Sequence, residues 1–404
     1  MTTHGPSFIP SFRQAILLGL GLSASALAGA SASGCADRGG FALCVDETID
    51  YETCTGFEDD PPFPPEDGAP DIIVREVCFD GTDGCDPCDV DGITGAAIDE
   101  VEFACSDVVI ESVKLVCGPD PSQSDCCYKV RVEGQFSCAQ EGRPLLTSVD
   151  ATPRVATLRT GEAWRTSVQP ELDVHRPADP AVRASLRRRW LAAARYEHAS
   201  VAAFARVSAQ LLAQGAPAAL VRAAHRAAAD EVRHAQVCFE LAAHYGAAQE
   251  SPLEAGALDT QGSVAAGLDL EATLREAIFE GALGEGAAAL AALEGARGCA
   301  DPLVSELLAT IAEDEQRHAL LAYQTVAWAL SAESTREQAA AIIRTCLHEG
   351  HELALADPSA NQPSSSGEDL RRHGLVSPER RRALHHESWT RLVAPILETL
   401  IARA

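Results

Sequence analysis

The pattern of apolar and polar residues divides the chain into two unlike parts. From about residue 179 onwards, Ala, Leu and Val recur at the three- and four-residue spacing of amphipathic helices. Between residues 36 and 140, apolar residues come instead in short runs and alternations between turn residues, as strands do. The predicted strands are Val101–Ala104, Val108–Val116 and Tyr128–Glu133. The pattern therefore predicts a small β module followed by a helical region.

Start and stop signals delimit the helices of the second part. An Asp-Pro pair, an N-cap followed by proline at the first helical position, opens two of them, and glycines end others. The predicted helices run from Pro180 to Gly215, from Pro217 to Gly246, from Asp269 to about Gly298 and from Pro302 to about Leu330, with further helices opening at Ser334 and Ser377. Four long helices in two hairpins, followed by extra helices, predict a helical bundle.

An internal repeat lies on the second and fourth of these helices. Asp230-Glu231-Val-Arg-His234 and Asp314-Glu315-Gln-Arg-His318 both follow the pattern D-E-x-R-H. Glu and His three residues apart lie one turn apart on the same helix face, so each pair can bind one cation. The first helix supplies Glu197, which lies 34 residues before Glu231.

The third helix offers two glutamates as the equivalent of Glu197. Glu285 lies 30 residues before Glu315, and the residues after it align without gaps with those after Glu197. Glu280 lies 35 residues before Glu315 and fits the distance between helices slightly better. Positions five apart differ by about 140° around an α-helix, so the two are not both expected to be terminal ligands of the same metal. The alignment favours Glu285, and Glu280 is the alternative.

These motifs resemble the ferritin-like di-iron carboxylate superfamily, the group that includes rubrerythrins and ferritins. In that superfamily, two helices of the bundle each supply one Glu ligand, and the other two helices each supply a Glu-x-x-His motif. The resemblance covers about residues 179–335 and implies two iron ions, with manganese as an option. It also implies the metal ligands, namely Glu197, Glu231, His234, Glu285, Glu315 and His318, with Glu231 and Glu315 bridging the metals.

Charge and donor chemistry support the same metal centre. Four ionised carboxylates facing a bundle core would each cost several kcal/mol, and two divalent cations neutralise them. Carboxylates and imidazoles without a thiolate suit iron or manganese. Asp230 and Asp314 resemble residues that hold a ligand histidine by its other ring nitrogen, and Arg233 and Arg317 are expected to pair with them.

Composition sharpens the division of the chain. Apolar residues make up 46%, enough for a sizeable core. Of the formal net charge of −27, residues 36–138 carry −20 and residues 139–404 carry −8, with Arg13 supplying the remaining +1. This acidity argues against nucleic acid as a partner, because phosphate backbones need a basic surface.

The N-terminus has the features of a secretory leader. Arg13 precedes the apolar run Ala15–Leu22, and small residues follow as far as Ala32. The run ends in Ala-Ser-Gly-Cys35, which resembles a bacterial lipobox, although Leu is the usual first residue. The leader predicts export to a periplasm or cell surface, with a lipid anchor at Cys35 or ordinary cleavage near Ala30 or Ala32.

Cysteine usage agrees with export. Eleven of the 14 cysteines lie between Cys35 and Cys138. If Cys35 carries lipid, ten remain and can form five disulfides, whereas cleavage before Cys35 without lipidation leaves one cysteine unpaired. Cys238, Cys299 and Cys346 are expected to be buried or to form one local pair. Such a module suits an oxidising compartment.

Together these features predict an α+β multidomain protein. Its segments are a leader (1–35), a Cys-rich acidic disulfide-stapled β module (36–140), a linker (141–178), a ferritin-like four-helix bundle (179–335) and accessory C-terminal helices (336–404). The first functional hypothesis is an exported di-metal oxidoreductase or ferroxidase-type protein using O₂ or peroxide, with no catalytic residue identified beyond the metal ligands. The alternative is a cell-surface binding protein whose Cys-rich module recognises a partner, with the bundle as a scaffold or metal store.

Overall fold

The computed structural model describes part of the chain. The described residues are 8–21, 71–79, 106–117, 126–137, 143, 145, 154–165, 176, 177, 179–246, 251–261, 263, 267–355 and 367–404. Most of them are helical. Cys35 lies outside these ranges, as does the predicted strand Val101–Ala104.

Four long helical stretches pack side by side as a bundle. They are α2 (Pro180–Ala213), α3 (Ala218–Tyr245), a composite third stretch and α6 (Pro302–Ser331). The α2 helix packs mainly on α3, the third stretch packs on α6, and α3 and α6 contact each other between the two pairs. The predicted order and limits of the bundle helices are thus confirmed.

The helix ends follow from the residues that the sequence places there. The Asp269 carboxylate accepts a hydrogen bond from the Ala272 backbone N–H at 2.8 Å, and the Asp301 carboxylate accepts bonds from Leu303 and Val304. Gly215 has φ +69°, a left-handed conformation that glycine adopts without strain and that ends α2.

The third stretch is not a uniform α-helix. It begins as α4 (Leu270–Glu276), continues as a π-helical segment (Ala277–Glu285) and ends as α5 (Gly286–Gly298). Hydrogen bonds in a π-helix run between residues five apart, so such residues lie nearly above one another. The expected 140° separation of Glu280 and Glu285 was therefore wrong, and both side chains are buried on the inner side of this segment.

The C-terminal helices pack mainly against the third stretch and α6. They are α7 (Arg336–Leu355), α8 (Gly367–Arg372), α9 (Pro378–Ser388) and α10 (Ala394–Arg403), with a π-helical turn, Trp389–Val393, between the last two. Trp389 is buried and stacks on Phe279 of the π-helical segment at 6.0 Å between ring centroids. Gly350 leaves the space that this indole fills.

The predicted linker and the loop after α3 each contain a short strand. Strand β4 (Leu158–Thr160) pairs antiparallel with β5 (Leu253–Ala255), so the linker region is tied to the loop after α3. Leu145, also in the linker, is buried against Ala199 and Ala203 of α2. The linker thus packs on the bundle.

The N-terminal part supplies a helix and a sheet. Helix α1 (Phe8–Gly19) lies within the predicted leader, and its residues Phe12, Ile16 and Leu17 are buried in the core that α6 and the π-helical segment share. Three strands, β1 (Asp71–Phe79), β2 (Ser106–Cys117) and β3 (Cys126–Ser137), form an antiparallel sheet in the order β1-β3-β2. Within the described ranges, no helix combines the length and apolarity that crossing a membrane requires.

Candidate metal centre

Four helical stretches bring six predicted ligands together inside the bundle. The first group comprises Glu197, Glu231, His234 and Glu315, and the second comprises Glu231, Glu285, Glu315 and His318. Within each group, one ligand atom from every residue lies within 4.8 Å of the others. Glu231 and Glu315 belong to both groups, so the two groups adjoin and share these two carboxylates.

Each histidine faces the shared glutamate of the opposite helix. His234 Nδ1 lies 3.1 Å from Glu315 Oε1, and His318 Nδ1 lies 3.0 Å from Glu231 Oε1. The distance from His234 Nδ1 to Glu197 Oε2 is 3.6 Å. The repeated motif therefore builds a nearly two-fold arrangement in which α3 and α6 contribute equivalent atoms.

Several of these buried atoms have no hydrogen-bond partner in the described part of the chain. They include both carboxylate oxygens of Glu231, Nδ1 of His234 and Oε1 of Glu285. Buried polar atoms are normally satisfied, so a cluster of unsatisfied acceptors and ring nitrogens needs an explanation. Cations between these atoms supply one, and the residues present therefore fit a pair of metal ions.

A network of aspartates and arginines fixes the outer side of both histidine rings. His234 Nε2 lies 3.2 Å from Asp314 Oδ2, and His318 Nε2 lies 3.3 Å from Asp230 Oδ2. Each aspartate thus contacts the histidine of the other motif. Both aspartates also form ion pairs with the arginines of both motifs, at 3.0 Å for Arg233 with Asp314.

The carboxylates of the site titrate far from their ordinary values. Burial and then neighbouring carboxylates raise the pKa of Glu197 and of Glu285 well above the usual glutamate value. Burial acts the same way on Glu231 and Glu315, but the adjacent rings of the two histidines outweigh it and lower the pKa of both. Some carboxylates of the site therefore favour a proton while others stay ionised.

The histidines carry the complementary shift. Burial lowers the pKa of His234 and His318, but the hydrogen bonds to Asp314 and to Asp230, together with the adjacent glutamates, outweigh it and raise the pKa of both well above the usual histidine value. Negative charge is therefore concentrated at this point of the core, where protons offset it in the absence of metal. Divalent cations would replace those protons.

The two candidate glutamates of the third stretch have different partners. Glu285 belongs to the second ligand group, whereas Glu280 belongs to neither group found among the described residues. Glu280 accepts a hydrogen bond from Arg206 Nη2 at 2.9 Å, and Arg206 also contacts Glu276. The geometry thus brings Glu285 to the site and pairs Glu280 with an arginine.

One residue beside the site has no counterpart in the sequence motifs. Arg143, in the linker, is 2% exposed, and its Nε lies 3.5 Å from Glu285 Oε1. Its Nη1 lies 3.9 Å from Glu280 Oε2. No sequence signal indicated Arg143, because it lies outside the periodic helices. The nearest signal was the glycine-rich stretch around Glu285, in which Gly281 leaves space for the Arg143 guanidinium.

Thiols lie close to the site without joining it. Cys238 lies one turn after His234, where burial and then the charge of Glu197 raise the pKa of its thiol well above the usual value. Cys238, Cys299 and Cys346 are free, so the predicted local pair is not formed. Cys238 and Cys346 are buried, as expected, and Cys299 is half-buried.

The two ligand groups differ in access. The Glu197 side chain is 26% exposed, whereas that of Glu285 is 1% exposed. Phe204 of α2 packs edge-on against the His318 ring at 5.0 Å between centroids, and the Arg143 guanidinium lies over the same phenyl ring, 4.9 Å from its centroid. Solvent therefore reaches the site on the Glu197 side.

Comparison with family models, curated proteins and solved structures gives no significant match. The ligand geometry and the paired D-E-x-R-H motifs are the features that indicate a metal centre.

Proposed function

We propose that the chain is a di-metal carboxylate protein with oxidoreductase or ferroxidase-type activity toward O₂ or peroxide. The observation that carries the proposal is the pair of adjoining four-residue ligand groups that share Glu231 and Glu315. Glu231 and Glu315 would hold two adjacent cations, which together would supply electrons to one bound molecule. The ferritin-like resemblance of the motifs supports the same function.

The donor set favours iron or manganese. Four carboxylates and two imidazoles are the ligands of redox-active hard metals, and the neighbouring Cys238 belongs to neither ligand group. Two iron ions would supply the electrons for reduction of O₂ or peroxide. Four carboxylates would balance the charge of two divalent cations.

The side chains of this site have separable roles in the proposal. Glu231 and Glu315 would hold both cations, and Asp314 and Asp230 orient the imidazoles through their outer nitrogens. The partly exposed Glu197 side chain lies where a small oxidant can enter the site from solvent. Apolar packing by Phe204 keeps water from the His318 side.

Metal stoichiometry tests the proposal directly. Purified protein loaded with Fe²⁺ under anaerobic conditions should hold two irons per chain, and O₂ should be consumed when air is admitted. The double variant Glu231→Ala, Glu315→Ala should hold almost none. Glu313→Ala is a matched control, because this exposed glutamate on the same helix α6 lies outside both ligand groups. A wild-type iron content near zero would refute the proposal.

We also propose that the protein is exported and anchored by lipid at Cys35. The supporting observations are the apolar leader, the cysteine that follows it and the many cysteines of the acidic module. Cleavage before Cys35 would remove helix α1, whose Phe12, Ile16 and Leu17 pack in the bundle core of the uncleaved chain. The Cys35→Ser variant should be released from the membrane fraction, and mass spectrometry of the wild-type protein should find a lipid on an N-terminal Cys35. Unchanged membrane association of the variant would contradict lipidation at this residue.

A further inference from the structure

Arg143 is built into the core beside only one of the two ligand groups. Its guanidinium is buried, and neither Nε nor Nη1 has a hydrogen-bond partner in the described part of the chain. The nearest carboxylate oxygens are Glu285 Oε1 at 3.5 Å and Glu280 Oε2 at 3.9 Å. In the same described residues, no ion pair joins Glu197 to an arginine.

The surrounding structure holds this side chain in place. The Ser200 hydroxyl donates a hydrogen bond to the Arg143 carbonyl at 2.9 Å, which ties the linker to α2. Gly281 makes room for the guanidinium, because a methyl group at that position would overlap Arg143 Nη2. The Phe204 ring lies beneath the guanidinium at 4.9 Å. The charge is therefore fixed at this point.

We propose that Arg143 makes the two metal positions unequal, so that a divalent cation occupies the Glu197–His234 position before the Glu285–His318 position. This inference rests on the proposed di-metal site. Arginine is always charged, and its repulsion of a cation is weakly screened in a buried site. The repulsion is largest at the position that includes Glu285, its nearest carboxylate.

Access reinforces the same order. The Glu197 side chain, at 26% exposure against 1% for Glu285, is the more accessible of the two, so an entering cation meets the His234 position first. A second cation must then bind beside both the first cation and the fixed guanidinium. Both positive charges weaken the second step more than the guanidinium alone weakens the first. Arg143 is a positioning residue, and its effect is on occupancy.

Stepwise titration of metal-free protein with Mn²⁺, followed by the electron paramagnetic resonance of free Mn²⁺, tests the proposal. Wild type should bind one Mn²⁺ tightly and a second at least about tenfold more weakly. In Arg143→Gln, the second step should tighten by about tenfold or more, while the first stays within about twofold. Arg143→Lys keeps a positive charge and should retain two unequal steps, even if its packing differs.

One further variant controls for net charge. Arg154→Gln removes the same charge from an exposed arginine of the linker region and should change neither step.

The failures of the two proposals are distinguishable. Wild-type protein that binds fewer than two Mn²⁺ would refute the di-metal site itself. Two binding steps that are equal in wild type, or that Arg143→Gln leaves unchanged, would refute only the role of Arg143.

Discussion

The two halves of the ligand set come from the same motif and lie in different surroundings. The half at His234 is built on two regular α-helices, and its outer ligand, Glu197, is partly open to solvent. The half at His318 uses a π-helical segment, and its outer ligand, Glu285, is closed off beside Arg143. A repeated motif therefore specifies equivalent ligands without specifying equivalent electrostatics.

The two halves differ in their surroundings because different segments of the chain pack against the two pairs of helices. The C-terminal helices cover the α4–α6 side, where Trp389 stacks on Phe279. The linker reaches the same segment and inserts Arg143 at Gly281. The π-helical turn brings Glu280 and Glu285 to one side of the helix. This half therefore contains an additional carboxylate, Glu280, and an arginine that pairs with it, Arg206. We infer that packing of the C-terminal helices and the linker gives the His318 half its different electrostatic surroundings.

The largest expected effect separates the two outer ligands. Glu197→Gln and Glu285→Gln each replace one carboxylate by a neutral amide, so each should lose one of the two metals. Glu285→Gln should keep the tighter position, whereas Glu197→Gln should keep the weaker one. The measurement is metal per chain after dialysis at a fixed free Mn²⁺ concentration. Identical residual affinities in the two variants would show that the halves are equivalent.

A core substitution should destabilise the covered half. Trp389 is buried against the π-helical segment, so Trp389→Ala should reduce the free energy of unfolding by about 3–5 kcal/mol. Urea denaturation measures the loss. Metal at the Glu285 position should weaken as its supporting segment loosens, and metal at the Glu197 position should change less.

The control for this effect is an apolar side chain in solvent. Leu212 is 64% exposed on α2, and Leu212→Ala should change the free energy of unfolding by less than about 0.5 kcal/mol. An equally small effect of Trp389→Ala would mean that the C-terminal helices do not support this half.

Much of this architecture follows from local signals in the sequence. Proline, glycine and Asp caps located the bundle helices, and the Asp269 and Asp301 caps act as predicted. The paired D-E-x-R-H motifs located Glu231, His234 and their counterparts, because the three-residue spacing fixes which side chains share a helix face. Gap-free alignment favoured Glu285, the glutamate that the geometry brings to the site.

Features that depend on distant contacts could not be derived in this way. The spacing of Glu280 and Glu285 was interpreted with α-helical geometry, and a π-helical turn is a response to tertiary packing that leaves little local signal. Arg143 comes from a segment without periodicity. The pairing of each aspartate with the histidine of the other motif depends on how α3 and α6 approach each other.

Substituting either aspartate of this crossed pairing should change metal affinity by an intermediate amount. Asp314→Asn should weaken metal at the His234 position by about 10–100-fold, because the imidazole loses the charged partner of its Nε2. Asp230→Asn should act on the His318 position instead, and less strongly, because the Asp230 side chain is more exposed. Stepwise Mn²⁺ titration of both variants measures this. The reverse assignment would mean that each aspartate serves its own motif.

The smallest effect concerns the hydrogen bond that joins the two halves. Ser200 lies three residues after Glu197, and its hydroxyl holds the backbone of Arg143 beside Glu285. Ser200→Ala should lower the free energy of unfolding by about 1 kcal/mol and, by loosening Arg143, should tighten the second Mn²⁺ step a few-fold. Ser208→Ala is the matched control, since Ser208 is buried on the same helix and its hydroxyl has no hydrogen-bond partner in the described residues. Because both variants remove one buried hydroxyl from α2, a change in metal binding confined to Ser200→Ala would show that the anchored linker sets the asymmetry. Equal effects of the two variants would instead mean that the hydroxyl contributes only to the stability of α2.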